Sequence, residues 1–186
     1  MNVGIPTFLT LFRLVFSFIF PFILYYVLPF GIDWLNTSLA IIFFLVSLTD
    51  FFDGFLARWW KQETFLGKEL DPIADKIFFI GPCIALVAME KLYFYWAFIF
   101  ISRELIISGL RSSALRYGLT VSVSWLGKIK TVFQYSYLTL IIGAPWNFPF
   151  CMFFQELSLI LALSLSVFSG FQYIQMFLLD MKERSF

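Results

Sequence analysis

Six long apolar stretches, separated by short polar or Gly- and Pro-containing turns, constrain the fold of this chain more than any other feature. They cover residues 7–29, 34–58, 72–89, 93–116, 125–143 and 150–180. A helix needs about 20 residues to span the hydrocarbon core of a bilayer, and the stretches are close to or above that length. Because 61% of the 186 residues are hydrophobic, a soluble domain of this size could not bury them. The sequence therefore predicts an all-α polytopic membrane protein with six transmembrane helices, in which residues 1–186 form a single integral-membrane domain.

The placement of basic residues predicts the orientation of this domain. The even-numbered turns and the carboxyl-terminal tail carry most of the flanking positive charge: Lys61, Lys68, Arg116, Lys182 and Arg184. The odd-numbered turns hold only Lys91. By the positive-inside rule, both termini face the cytoplasm. The formal net charge is only +1, so bulk charge gives no reason to expect a nucleic-acid partner.

An acidic cluster lies at the junction of the second and third apolar stretches. Its members are Asp50, Asp53, Asp71 and Asp75. The first two share one helical stripe with the small residues Gly54 and Ala57, and the last two lie one helical turn apart. Because the turn between the stretches is short, the two helices run antiparallel and both pairs lie at the same membrane depth. The sequence therefore predicts that four carboxylates converge.

Four facing carboxylates repel one another near a low-dielectric region, so a cation is expected among them. The chain has no histidine, and oxygen ligands suit Mg²⁺ or Mn²⁺, as one ion or as a bridged pair. Gly54 and Ala57 leave room for a flat or phosphorylated ligand, and Arg58 supplies a bidentate phosphate donor. The alternative is that the acids cap helix ends. Asp71 before Pro72 resembles an N-cap, but capping does not account for Asp50 and Asp53.

Charged residues also interrupt the fourth stretch and begin the fifth. Glu104 and Arg111 lie seven residues apart, on one helical face with Ser108 between them, while Lys128 and Lys130 follow in the next stretch. One interpretation is an internal ion pair together with an ordinary basic flank. The other is a basic pocket for a phosphorylated acceptor, since a dianionic phosphate needs cationic partners. Charge alone leaves both interpretations open.

Residues 50–75 match the pattern Asp-x2-Asp-Gly-x2-Ala-Arg-x8-Gly-x3-Asp-x3-Asp at every position. This pattern resembles the signature of the CDP-alcohol phosphotransferases, integral membrane enzymes that join a CDP-linked donor to an alcohol and release CMP. Residues 2–13, 102–111 and 123–131 are similar to members of that family that make phosphatidylglycerophosphate in bacteria. The resemblance therefore spans residues 2 to about 131, and the last stretches carry no recognisable motif.

The resemblance implies a role for each matching position. The metal ligands are Asp50, Asp53, Asp71 and Asp75, holding Mg²⁺ or Mn²⁺ as two ions, and Asp75 is also the general base. The contacts to the CDP-linked donor are Asp50, Asp53, Gly54, Ala57, Arg58 and Gly67. The acceptor phosphate is bound by Arg103, Arg111, Lys128 and Lys130.

The implied reaction joins CDP-diacylglycerol to sn-glycerol 3-phosphate and yields phosphatidylglycerophosphate and CMP. The resemblance further implies a homodimer in the bacterial inner membrane, surrounded by lipid, with its active site facing the cytoplasm. Within the family, inositol phosphate or phosphatidylglycerol is an alternative acceptor. In a different class, a divalent-cation transporter would also carry intramembrane acids. Acids clustered at one depth beside Arg58, rather than spread along a pathway or in internal repeats, favour the enzyme.

Overall fold

The computed structural model describes residues 5–60, 65–116, 125–143 and 149–184, with side chains described at 11–49, 70, 72–115, 125–143, 150–180 and 182. All regular structure in these ranges is helical. The six α-helices are α1 (Ile5–Val27), α2 (Asp33–Trp60), α3 (Phe65–Ala88), α4 (Phe94–Arg116), α5 (Trp125–Gly143) and α6 (Pro149–Arg184). The predicted all-α class and the six helices are therefore confirmed for the described ranges.

Five of the six helices begin and end close to the predicted limits, but the predicted start of the third is wrong. α3 begins at Phe65, whereas the sequence predicted a polar turn from 59 to 71 and a helix from 72. Asp71 and Pro72 consequently lie inside α3, and Asp71 is not its N-cap. The preceding residues include Leu66, Lys68 and Leu70, which favour helix strongly enough for the helix to continue through the proline.

The turn between α1 and α2 shows why the polypeptide reverses where the sequence predicted. A short 3₁₀ helix, Leu28–Phe30, follows α1 and contains Pro29. Gly31 then adopts a left-handed backbone conformation with φ 65°, and its N–H donates to the carbonyl of Leu28 at 3.1 Å. A glycine accepts this conformation without the steric cost that a Cβ would bring. The chain is thereby redirected into α2.

Close backbone approach fixes two of the helix pairs. α1 packs extensively on α3, and a Cβ at Gly81 of α3 would collide with the ring of Pro21 in α1. α2 packs on α5, and a Cβ at Gly143 would collide with that of Ala40. Glycine at these positions lets the helix axes come nearer than side chains would allow, which increases the packing contacts between them.

A stack of aromatic rings connects four helices through the interior. Phe43 of α2 lies between Phe20 of α1 and Phe78 of α3, with ring centroids 5.6 and 4.9 Å away. Tyr135 of α5 completes the group, at 5.8 Å from Phe43 and 5.7 Å from Phe78. Rings at these separations gain packing energy beyond simple burial. This stack holds α3 and α5 in a fixed relation, which matters because both helices contribute to the site described below.

Large apolar side chains cover the outer faces of the described helices. In the described part of the chain, two stretches are long and apolar enough to cross a membrane, Leu11–Phe30 and Phe150–Asp180. The apolar portion of α2 that meets this criterion is shorter, Asp33–Thr49, and charged residues interrupt α4. Six membrane spans remain a prediction from the sequence.

Candidate functional site

A cavity of about 340 Å³ lies among α3, α4, α5 and α6. This volume is within the range of sites that bind small molecules. Seven charged residues line it: Asp75, Lys76, Arg103, Glu104, Arg111, Lys128 and Lys130. Five cations against two acids leave a net formal charge of +3, so the cavity favours an anionic ligand.

All four residues predicted to bind the acceptor phosphate line this one cavity. Arg103 and Lys130 lie inside, with side chains 15% and 3% exposed, whereas Arg111 and Lys128 are exposed to the surroundings. The cations therefore extend from the outside of the protein into its interior. Their role in binding phosphate stays a prediction, but an ordinary basic flank at a membrane surface would not require a buried lysine and a half-buried arginine.

Glu104 balances two cations of the cavity, the buried Lys130 and the half-buried Arg103. One carboxylate oxygen, Oε1, contacts Lys130 Nζ of α5 and also accepts from Arg103 Nη1 at 3.3 Å. The sequence predicted that Glu104 and Arg111 share a helical face, and both line the cavity, while the ion pairs of Glu104 among the described residues are with Lys130 and Arg103. Charges of opposite sign that are removed from most of the solvent satisfy one another's hydrogen bonds and are costly to separate. Glu104 therefore fixes the positions of both cations.

Arg103 is also anchored to α6, the helix in which the sequence offered no motif. Its Nη2 donates to Ser169 Oγ at 2.9 Å, and its Nε donates to the backbone carbonyl of Ser166 at 3.3 Å. A guanidinium has five N–H donors, and these bonds together with the Glu104 contact use three of them. Two N–H groups remain for other acceptors while the planar group is held in place.

Asp75, the predicted base, forms an ion pair that the sequence analysis did not identify. Arg13 Nη1 of α1 donates to Asp75 Oδ1 at 3.0 Å, and the Arg13 side chain is 2% exposed while that of Asp75 is 38% exposed. Asp75 lines the cavity, so its carboxylate is held from the protein side and accessible from the cavity side. The sequence feature that pointed to this ion pair is Arg13 itself, because a charged residue within an apolar helix is usually functional.

Lys76 is another lining residue that sequence reasoning missed. Its Nζ contacts Ser108 Oγ of α4. This contact joins α3 to the helix that carries Arg103 and Arg111, and it brings a fifth cation to the cavity. The signal in the sequence was weak, since a lysine following an acidic residue is common at helix surfaces.

The remaining predicted site residues lie outside the described side chains. They are Asp50, Asp53, Gly54, Ala57 and Arg58 in α2, and Gly67 and Asp71 in α3. Among the side chains that are described, no group of three or more acidic, cysteine or histidine residues lies close enough to hold a metal ion. The predicted convergence of the four carboxylates therefore stays a prediction.

Asp75 offers carboxylate oxygens, which are the type of ligand that a hard divalent cation prefers. Its carboxylate is partly exposed at the cavity, and α2 and α3 are continuous helices through Asp50, Asp53 and Asp71. The whole sequence lacks histidine, and the two cysteines, Cys83 and Cys151, are both free. Oxygen ligands alone select Mg²⁺ or Mn²⁺ over softer metals.

The described part of the chain is therefore all-helical, exposes many large apolar side chains and contains a cavity lined mainly by cations. The family model for CDP-alcohol phosphatidyltransferase matches residues 3–168. The chain therefore belongs to the CDP-alcohol phosphatidyltransferase family.

Curated relatives extend over nearly the whole chain. A protein of Yersinia enterocolitica is 41% identical over 182 residues, which is 94% of each chain. A protein of Sodalis glossinidius is 43% identical over 151 residues, covering 78% of this chain and 80% of its own. One of Salmonella choleraesuis is 41% identical over 152 residues, again covering 78% and 80%. All three are named CDP-diacylglycerol–glycerol-3-phosphate 3-phosphatidyltransferase.

Proposed function

We propose that this protein transfers the phosphatidyl group of CDP-diacylglycerol to sn-glycerol 3-phosphate, giving phosphatidylglycerophosphate and CMP. The relatives that carry this activity in their names cover most of the chain. The observation that carries the proposal is that Arg103, Arg111, Lys128 and Lys130 line one cavity together with Asp75. The cations of the cavity can bind a phosphate, and the Asp75 carboxylate can accept the proton of a hydroxyl. Glycerol 3-phosphate contains a phosphate and hydroxyl groups.

The acceptor phosphate binds among the four cations. Arg103 keeps two N–H donors after its bonds to Glu104, Ser166 and Ser169, and a fixed guanidinium can bind phosphate oxygens without losing further freedom. Arg111 lies eight residues further along α4, about 12 Å along the helix axis, and is exposed. Arg111 attracts the dianion from the surroundings, while the less exposed Arg103 and Lys130 hold the phosphate in place.

Asp75 accepts the proton of the attacking hydroxyl. The hydroxyl oxygen forms a bond to the phosphorus that carries the diacylglycerol, and the bond from that phosphorus to the CMP oxygen breaks. Arg13 holds Asp75 from the side away from the cavity, so its carboxylate keeps one orientation during the proton transfer. The lining residue Lys76 adds positive charge to the cavity, which can stabilise the negative charge that develops during transfer.

The donor and the metal bind at the positions of α2 and α3 that match the family pattern. Asp50, Asp53, Asp71 and Asp75 would hold Mg²⁺ or Mn²⁺, as two ions, which when bound neutralise the diphosphate and stabilise CMP as a leaving group. Gly54 and Ala57 leave space for the cytidine against the helix, and Arg58 and Gly67 complete the donor site. These assignments follow from the matching positions of the sequence.

The membrane arrangement is part of the same proposal. All six helices span the inner membrane, with both termini and the reaction site on the cytoplasmic side, and two copies form a homodimer. The exposed apolar side chains on the described helices support contact with lipid, and the basic residues of the even-numbered turns support the orientation.

The test is an assay of the purified protein in detergent with CDP-diacylglycerol, Mg²⁺ and a panel of acceptors. The panel contains glycerol 3-phosphate, inositol phosphate, phosphatidylglycerol and no acceptor, and the release of CMP is measured. We expect CMP release with glycerol 3-phosphate far above that with the other members. Preferential use of another alcohol, or no acceptor-dependent release, would refute the proposal.

A further inference from the structure

Two buried polar groups in the cavity have no hydrogen-bond partner in the part of the chain that the structure describes. They are the side-chain nitrogen Nε2 of Gln134 and the phenolic oxygen of Tyr173. Gln134 is 2% exposed, Tyr173 is 5% exposed, and both line the cavity. Leaving buried donors unsatisfied is costly, so two such groups on one cavity wall indicate that a ligand supplies their partners.

Both groups lie one helical turn from the cationic cluster. Gln134 follows Lys130 by four residues in α5, and Tyr173 follows Ser169, the partner of Arg103, by four residues in α6. Four residues correspond to about 6 Å along a helix axis, which is comparable with the length of a three-carbon phosphate ester. A ligand held by its phosphate at the cations therefore reaches Gln134 or Tyr173 with its carbon chain.

The chemistry of the two groups selects a hydroxyl rather than a second charge. A terminal amide and a phenol are neutral at physiological pH and can each donate a hydrogen bond to, or accept one from, an alcohol. The cations already satisfy a phosphate, and Asp75 accepts the proton of the hydroxyl that reacts. Glycerol 3-phosphate has one further group, its middle hydroxyl.

We propose that Gln134 and Tyr173 form a neutral subsite that binds the unreacting hydroxyl of the acceptor and makes the protein selective for a polyol phosphate. This inference rests on the proposed function, because it assigns the part of the acceptor that the cations and Asp75 do not bind. A site built to hydrogen-bond a substrate hydroxyl rejects the analogue that lacks it, since the buried groups are then left unpaired.

The test compares glycerol 3-phosphate with 3-hydroxypropyl phosphate, which keeps the phosphate and the terminal hydroxyl but lacks the middle one. Each neutral hydrogen bond changes an affinity about two- to tenfold, so two of them should make the wild type prefer glycerol 3-phosphate about four- to one-hundredfold in kcat/KM. Gln134→Met and Tyr173→Phe keep side-chain size and remove one partner each. Each should lower kcat/KM for glycerol 3-phosphate about two- to tenfold and leave that for 3-hydroxypropyl phosphate within about twofold.

Tyr137→Phe is the matched control. Tyr137 is a buried tyrosine of α5, 4% exposed, that does not line the cavity. Its replacement removes a phenolic oxygen from the same helix and should leave the ratio of the two acceptors unchanged. Turnover of 3-hydroxypropyl phosphate also reports whether each variant is folded, because that acceptor needs the whole site except the proposed subsite.

Two outcomes would overturn the inference while leaving the proposed function intact. One is a wild type that turns over both acceptors with equal kcat/KM. The other is an equal loss for both acceptors in Gln134→Met and Tyr173→Phe, which would make the two residues purely structural. A wild type that releases no CMP with either acceptor would instead refute the proposed function, and the subsite with it.

Discussion

Glu104 is the acidic side chain that pairs with Lys130 and Arg103 of the cavity, and replacing it by Gln removes its charge while keeping its shape. In the wild type, its Oε1 contacts Lys130 Nζ and accepts from Arg103 Nη1 at 3.3 Å. A hydrogen bond to a charged group contributes about 1.5 to 3 kcal/mol, and a neutral one about 0.5 to 1.5 kcal/mol. Weakening two such bonds should lower the free energy of unfolding by about 2 to 3 kcal/mol. The Lys130 side chain, only 3% exposed, would be left without its counter-charge, which acts in the same direction.

The same change should make the stability of the protein more dependent on ligand. A ligand that binds only the folded state stabilises it by mass action, and a phosphate dianion would replace the missing negative charge beside Lys130 and Arg103. We therefore expect glycerol 3-phosphate, added without CDP-diacylglycerol, to raise the unfolding free energy of Glu104→Gln more than that of the wild type. The assay is denaturant-induced unfolding in detergent micelles, with and without glycerol 3-phosphate.

Glu156→Gln serves as the control, because Glu156 is an exposed acid of α6 that does not line the cavity. It should change neither the stability nor its response to glycerol 3-phosphate. If Glu104→Gln were as stable as the wild type in the absence of ligand, the view that Glu104 holds the buried cations would be refuted. If its response to glycerol 3-phosphate equalled that of the wild type, the cations would not be facing the acceptor phosphate.

Three further predictions address the acceptor, the metal and the donor. Arg111→Ala should raise the KM for glycerol 3-phosphate about ten- to one-hundredfold, because a charged hydrogen bond is lost. The KM for CDP-diacylglycerol should stay unchanged, and steady-state kinetics with each substrate varied in turn measure both constants. Exhaustive chelation should abolish CMP release, and added Mg²⁺ or Mn²⁺ should restore it; activity after chelation would contradict the metal assignment. Asp75→Asn should stay inactive with metal present but should still bind the donor. Gly54→Leu should fold, since leucine favours helix, but should raise the KM for CDP-diacylglycerol sharply; a normal donor KM would mean that this small-residue face serves helix packing.

The order and approximate limits of the helices could be predicted from the sequence. Helical hydrogen bonds join residues four apart, so a long apolar stretch with suitable flanking residues determines a helix without reference to the rest of the chain. The one large error was the start of α3, where Asp71 and Pro72 resembled a helix beginning. Proline is favoured at a helix start, yet the preceding residues continued the helix, and local rules could not decide between these outcomes.

The residues of the cavity could be predicted only in part. Arg103, Arg111, Lys128 and Lys130 were identified from their charge and from the resemblance, and the structure places all four around one cavity. Gln134 and Tyr173 gave no signal, because an amide and a phenol are unremarkable in an apolar helix until their surroundings are known. The acids and small residues of α2 were identified by their spacing alone, and their prediction rests on the sequence.

What the sequence by itself determined is which residues share a helix and, from a period of 3.6, which of them share a face. What only the tertiary structure decided is which faces meet. Glu104 pairs with Lys130, 26 residues away, Asp75 with Arg13, 62 residues away, and Arg103 with Ser169, 66 residues away. Many rotations and crossings of six apolar helices satisfy the same hydropathy pattern. The close approaches at Gly81 and Gly143 and the ring stack around Phe43 are features of one such arrangement, and it is that arrangement that brings these charges together.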